Sequence, residues 1–166
     1  MSKVNVLFVC LGNICRSPLA EGIFRQRINE KGLSERFEMD SCGTAAYHIG
    51  KHPDSRSVAN AKQNGVRYDH YARQFEVSDF HSFDFIIPMD DANYEDVVRL
   101  RPKGAKAEVF KMRYFDTLEI NSDVPDPYYG GEQGFQEVFE ILNRSVDELI
   151  EYLLGKSNKS LVFARS

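Results

Sequence analysis

Two short stretches hold the residue types that chemistry needs. "VCLGNICRSP" at residues 9–18 sets a thiol, Cys10, six positions before a guanidinium, Arg16. A thiol is a nucleophile only as its thiolate, and an ordinary pKa near 8.5 keeps most of it protonated at neutral pH. A helix N-terminus and a nearby cation both favour the thiolate. Arginine also presents a planar fork that can hold two oxygens of a phosphate, which lysine cannot copy. The second stretch, "VPDPYYGG" at 124–131, sets Asp126 between Pro125 and Pro127. Two proline rings stiffen a loop, and a stiff loop can hold a carboxyl where a leaving oxygen needs a proton. Tyr128 and Tyr129 follow, able to wall a slot for an aromatic group or simply to pack the loop. Nucleophile, oxyanion clamp and proton donor together describe phosphoryl transfer. Taken alone, each stretch has a plainer reading, as a buried cysteine beside an arginine and as a turn.

Chance supplies the bare pattern easily. With 3 Cys and 12 Arg in 166 residues, about 0.2 Cys-x5-Arg matches are expected at random. The surroundings add the weight. Val4 to Val9 (VNVLFV) is short, β-branched and apolar, the pattern of a strand buried on both faces. Ser17-Pro18 reads as an N-cap followed by proline at the first helical position. Leu19, Ala20, Ile23, Phe24 and Ile28 recur at helical spacing, and Gly32 offers a stop. Cys10 to Arg16 is therefore expected to be a loop between a buried strand and a helix N-terminus, where anions bind. Gly12 is expected to supply the freedom that lets the loop amides converge. The sequence GNICRSP lacks the Gly-Lys-Ser/Thr ending of a nucleotide-binding P-loop.

The rest of the chain supports one α/β domain. Arg36–Cys42 alternates like a strand exposed on one face, and 43–53 is loop. A helix opens at Asp54 and closes at Gly65, and Val77–Phe80 forms one helical turn. Phe83–Met89 is a third strand, Asp91–Leu100 a helix and Ala107–Met112 a fourth strand. Tyr114–Gly134 is a long loop, and Phe135–Leu153 an amphipathic helix ended by Gly155. Strands alternating with helices imply a parallel sheet covered on both faces.

A net charge of −4 argues against bulk binding to nucleic acid or to anionic membrane. No run approaches the roughly 18 apolar residues of a membrane span, and no N-terminal signal pattern is read. Three cysteines do not suggest a secreted disulfide framework, so a reducing cytoplasm is expected. His48 and His52 are the only closely spaced histidines, and no structural zinc site is expected.

With these residues in place, the chain resembles the low-molecular-weight protein tyrosine phosphatases up to about Leu154. "VLFVCLGNICRSPLAE" and "DPYYGG" match the two signature stretches, while "DSCG", "HYARQ" (70–74) and "PMDDAN" (88–93) are weaker blocks. The resemblance implies a three-layer sandwich with a four-stranded parallel twisted sheet and a phosphate-binding loop after the first strand. It implies residues 1–154 as the domain and no metal or cofactor, while GKSNKSLVFARS at 155–166, past the glycine that ends the last helix, is expected to be a mobile tail. Cys10 would be the nucleophile, Arg16 the phosphate clamp and Asp126 the general acid that later activates water. Leu11, Gly12, Asn13, Ile14 and Cys15 would give amides to phosphate, and the Ser17 hydroxyl would stabilise the thiolate. Asn13, Ser41 and His70 would hold the loop in a strained shape, and Tyr47 would line the slot with Tyr128 and Tyr129. Relatives with the Cys10–Cys15 pair form a protective disulfide there, while Cys42 reads as inert packing. The implied partners are a phosphotyrosine protein and a phosphate-like oxyanion. The expected state is a monomer, with a weak dimer as the alternative.

Three other readings share the first loop. Arsenate reductases of this architecture relay a disulfide through two further cysteines, and residues 43–166 contain none. Protein-arginine phosphatases resemble threonine where this loop has Ile14, and lack the paired tyrosines. A phosphate-binding module without turnover would need neither Cys10 nor Asp126.

Overall fold

A computed structural model of the chain describes residues 3–128 and 130–155. Tyr129 and all of the expected tail beyond Gly155 lie outside the described residues. Four parallel strands, β1 (Val4–Cys10), β2 (Phe37–Gly43), β3 (Phe85–Pro88) and β4 (Glu108–Val109), stand in the order β2-β1-β3-β4. Alternate β1 residues face opposite ways, as a strand requires. Val6, Phe8 and Cys10 enter the larger core, and Leu7 and Val9 the smaller one. The larger core is closed by α1 (Arg16–Glu30), α2 (Ser55–Gln63) and α5 (Gly131–Leu154). The smaller is closed by α3 (Asp79–Ser82) and α4 (Asp91–Arg99) through Phe80 and Val97. The three-layer α/β sandwich read from the sequence is the observed one.

This strand order reverses direction between β1 and β3, and loops at such a switch point leave a crevice at the carboxyl ends of the strands. Both Cys10 and the residues after β3 lie at those ends.

Several boundaries differ from expectation for identifiable reasons. α1 starts at Arg16 with Cys15 as its cap residue, so Ser17 lies inside the first turn and its hydroxyl does not cap. At the other end Gly32 takes φ +69. Gly32 N–H donates to Asn29 O and Leu33 N–H to Ile28 O, a Schellman ending that the glycine makes possible. β4 is only two residues long, because Lys111 turns aside to Asp91 and Asn121 and a 3-10 helix begins at Met112. That turn carries Phe115 into rings of Phe110 (5.8 Å) and Tyr152 (5.4 Å). β3 is shortened to four residues because Phe83 caps α3. The long loop shrinks to 116–130, since α5 starts four residues early in a Gly-rich stretch without apolar periodicity. Among the described residues no helix is long and apolar enough to cross a membrane.

Candidate active site

The loop after β1 curls around the Cys10 sulfur. Asn13 N–H donates to Cys10 Sγ at 3.3 Å, and Ser17 Oγ lies 3.0 Å from it. The left-handed residue in the curl is Asn13, φ +58, rather than Gly12. Asparagine tolerates that region better than most residues, though at some cost. Gly12 has another role, since a Cβ there would meet His48 Cδ2 at 2.9 Å. Gly43, at the end of β2, lets the loop approach, because a Cβ would meet Leu11 O at 2.6 Å. Thr44 N–H donates to Cys10 O and Ala45 N–H to Leu11 O, fastening the loop to that strand end.

Buried side chains hold the curl from behind. Asn13 Nδ2 donates to Ser17 Oγ (2.8 Å) and Ser41 Oγ (3.1 Å). Asn13 Oδ1 accepts from Arg73 N–H (3.0 Å) and meets His70 Nε2 at 2.9 Å. Because Asn13 Oδ1 can only accept, Nε2 of His70 carries the proton there. Ser17 has one hydroxyl proton and two acceptors in reach, Cys42 O at 3.2 Å and Cys10 Sγ at 3.0 Å. When Cys10 is a thiol its own proton can go to Ser17; when it is a thiolate, the Ser17 proton can turn to sulfur. Ser41 Oγ donates to Glu21 Oε1 at 2.8 Å, and His70 Nδ1 faces the same oxygen at 3.4 Å.

Glu21, Asp40 and His70 present ligand atoms within 4.8 Å of one another, a spacing a metal could use. Each carboxylate is already ion-paired, Glu21 with Arg25 (2.6 Å) and Asp40 with Arg73 (2.9 Å). The cluster therefore fits a support for Asn13 better than a cation site.

Arg16 is buried, with 3% of its side chain exposed. Its Nη1 donates to Asp90 Oδ2 at 2.6 Å and to Val124 O at 3.0 Å, while Nη2 lies 3.7 Å from Asp126 Oδ2. Burial opposes the charge, but the Cys10 sulfur, Asp90 and Asp126 outweigh it and hold the guanidinium pKa above its ordinary value. Asp90 also caps α4, its Oδ1 accepting from Asn93 N–H at 2.7 Å. One carboxylate thus aims Arg16 and is itself fixed by a helix end. Asp126 is 46% exposed, and its Oδ1 accepts from Tyr128 N–H at 3.1 Å.

These groups open on a cavity of about 300 Å³, the lower end of the range for small-ligand pockets. Cys10, Cys15, Arg16 and the Leu11, Gly12 and Ile14 backbone region form its base, with Asp126, Tyr128, Tyr47 and His48 at the sides. Asn13 and Ser17 stand behind the base instead of lining it. The base holds a thiol and a guanidinium, and the rim holds a carboxyl and aromatic rings.

Comparison with known proteins agrees with this arrangement. Residues 5–159 match the family described as low molecular weight phosphotyrosine protein phosphatase. The enzyme of that name from Schizosaccharomyces pombe is 44% identical over 138 residues, covering 82% of this chain and 88% of its own. The chain belongs to the low molecular weight phosphotyrosine protein phosphatase family. A protein tyrosine phosphatase from Entamoeba histolytica, solved with Hepes in its active site, is 42% identical. It superposes with a TM-score of 0.89 over 93% of this chain and 99% of its own. An arginine phosphatase of Drosophila is also similar, at 26% identity and a TM-score of 0.84 over 89% and 96% of the two chains.

The loop and the Asp126 carboxyl are legible from sequence, and the structure brings Cys10, Arg16 and Asp126 into one pocket. Sequence reading missed Asp90, Glu21 and His48. Asp90 had a signal: a carboxylate directly after an internal strand sits at the carboxyl end of the sheet, where ligands bind. Glu21 had none, because a glutamate on a helix gives no hint of the serine it meets.

Proposed function

We propose that this protein hydrolyses phosphotyrosine in proteins, and small aryl phosphates, through a phosphocysteine at Cys10. The observation that carries the reading is that Cys10, Arg16 and Asp126 line one pocket whose sides include Tyr47 and Tyr128. Cys10 Sγ attacks phosphorus as the ester P–O bond breaks. Arg16 and the amides of Leu11, Gly12, Ile14 and Cys15 take the phosphoryl oxygens, while the Asn13 N–H stays on the sulfur, in a loose transition state whose charge needs positioned donors. Asp126, in its acid form, gives its proton to the leaving phenolate; as carboxylate it then takes one from the water that splits the S–P bond, releasing inorganic phosphate. The chemistry draws on side chains and backbone alone, and every group comes from one chain, so a monomer suffices.

Cys15 adds protection against oxidation. Its thiol is buried, and burial first, then the nearby charges of Asp54, Cys10 and Asp126, push its pKa up. Peroxide converts the Cys10 thiolate to a sulfenic acid, which removes one of those opposing charges. The Cys15 sulfur then displaces the hydroxyl, forming an S–S bond and releasing water. A working Cys10 must be reduced, which suits the cytoplasm. Cys42, fully buried in the smaller core, takes no part.

The test is acid-quenched mass spectrometry during turnover of a phosphotyrosine peptide, beside phosphoserine and phosphoarginine peptides. The proposal expects a phosphate adduct on Cys10 and preference for phosphotyrosine; C10S should bind phosphate without turnover. Measurable C10S turnover, or preference for phosphoarginine, refutes it.

A further inference from the structure

We propose that Arg56 is a positioning residue that sets the Tyr128 wall of the slot and thereby the preference for aryl over alkyl phosphates. This rests on the phosphatase reading above. Asp54, only 10% exposed, is the cap of α2. Its backbone N–H donates to Ile14 O at 2.7 Å, tying it to the nucleophile loop. Its carboxylate takes a two-pronged bond from Arg56, with Nε at 3.1 Å and Nη2 at 2.8 Å. Those bonds also hold the Asp54 carboxyl below its ordinary pKa.

A fork held this way fixes the plane of the guanidinium. That group lies 5.3 Å from the centre of the Tyr128 ring and 4.9 Å from that of Phe135. The two rings belong to different elements, Tyr128 to the acid loop and Phe135 to the first turns of α5. A surface salt bridge serving only to cap α2 would need neither ring. Here Arg56 links the Ile14 carbonyl, through Asp54, to the aromatic wall that faces the same pocket. The slot width is thus referred to the nucleophile loop rather than left to a segment without regular structure. A ring on the substrate feels that wall, whereas a small alkyl phosphate, bound by Arg16 and the loop amides, does not reach it.

The test compares two competitive inhibitors, benzylphosphonate and methylphosphonate, against wild type, R56M and F135L. R56M is expected to narrow the ratio of their inhibition constants about five- to tenfold, the scale of a single aromatic contact. It should raise KM for a phosphotyrosine peptide by a similar factor. F135L, which removes the other ring from the guanidinium, should shift the ratio the same way by a smaller factor. The double variant should resemble R56M, because Phe135 acts through Arg56. A ratio within twofold of wild type in R56M, or equal weakening of both inhibitors, overturns the proposal. Failure of the function itself would look different, as a wild-type protein that does not hydrolyse the peptide.

Discussion

Replacing Asp90 tests how Arg16 is aimed. The Asp90 carboxylate is the nearest anion to a guanidinium with 3% of its surface exposed, at 2.6 Å. In D90N the amide oxygen can still accept from Asn93 N–H and keep the α4 cap, but the amide NH₂ then faces another donor. Removing one member of a buried pair typically costs about 3–5 kcal/mol. Here Asp126 remains 3.7 Å from Nη2 and Val124 O still accepts from Nη1, so the expected loss is about 2–3 kcal/mol. D90A also loses the cap, worth about 1 kcal/mol more. Urea unfolding should therefore rank wild type above D90N above D90A. Steady-state kinetics should show kcat lower by about 10–100-fold in D90N, the effect of a misaimed clamp. The inhibition constant for phosphate should rise as well, because the same guanidinium, no longer aimed by Asp90, holds the phosphate oxygens. A kcat within twofold of wild type, or a stability loss below about 1 kcal/mol, refutes this account of Arg16.

Three further outcomes are expected. D126A should slow phosphotyrosine hydrolysis by about 10²–10⁴-fold, and an activated aryl phosphate by much less, since a good leaving group needs no proton; equal losses would make Asp126 structural. C15S should keep phosphatase activity but recover little of it when a thiol reductant follows peroxide, whereas wild type recovers; equal recovery would leave Cys15 as packing. Asp116 is fully buried, and although burial raises its pKa, bonds from Arg144, Leu118 N–H and Arg113 bring it down to about 2. A lowered carboxyl pKa stabilises the fold above the ordinary value of 3.8, and that contribution disappears as pH falls toward 2. Denaturant midpoints should show wild type losing about 2 kcal/mol more than D116N between pH 6 and 2; parallel losses would refute it.

Local features were decided by the sequence alone. Val4 to Val9 can only bury two apolar faces, Gly32 takes the left-handed turn that ends α1, and Asp54 caps α2 as its spacing implies. Cys10 and Arg16 are near one another because six covalent links and one helix start leave them little choice. The tertiary structure decided which groups from distant segments these residues meet. Arg16 finds Asp90 across 74 residues because the β1–β3 crossover brings two strand ends side by side. The left-handed strain falls on Asn13 because its amide reaches Ser17 and Ser41 while Gly12 makes room for His48. Ser17 turns from helix cap to sulfur ligand for the same reason, the curl having brought Cys10 within 3.0 Å. β4 stops after two residues because Lys111 is drawn to Asp91 and Asp123, charges supplied by other segments. Propensity and periodicity act over one or two turns of chain, whereas hydrogen bonds and ion pairs are satisfied by whatever the topology places alongside. That is why the thiol, guanidinium and carboxyl that line the pocket were readable in order along the chain, and the residues that aim them were not.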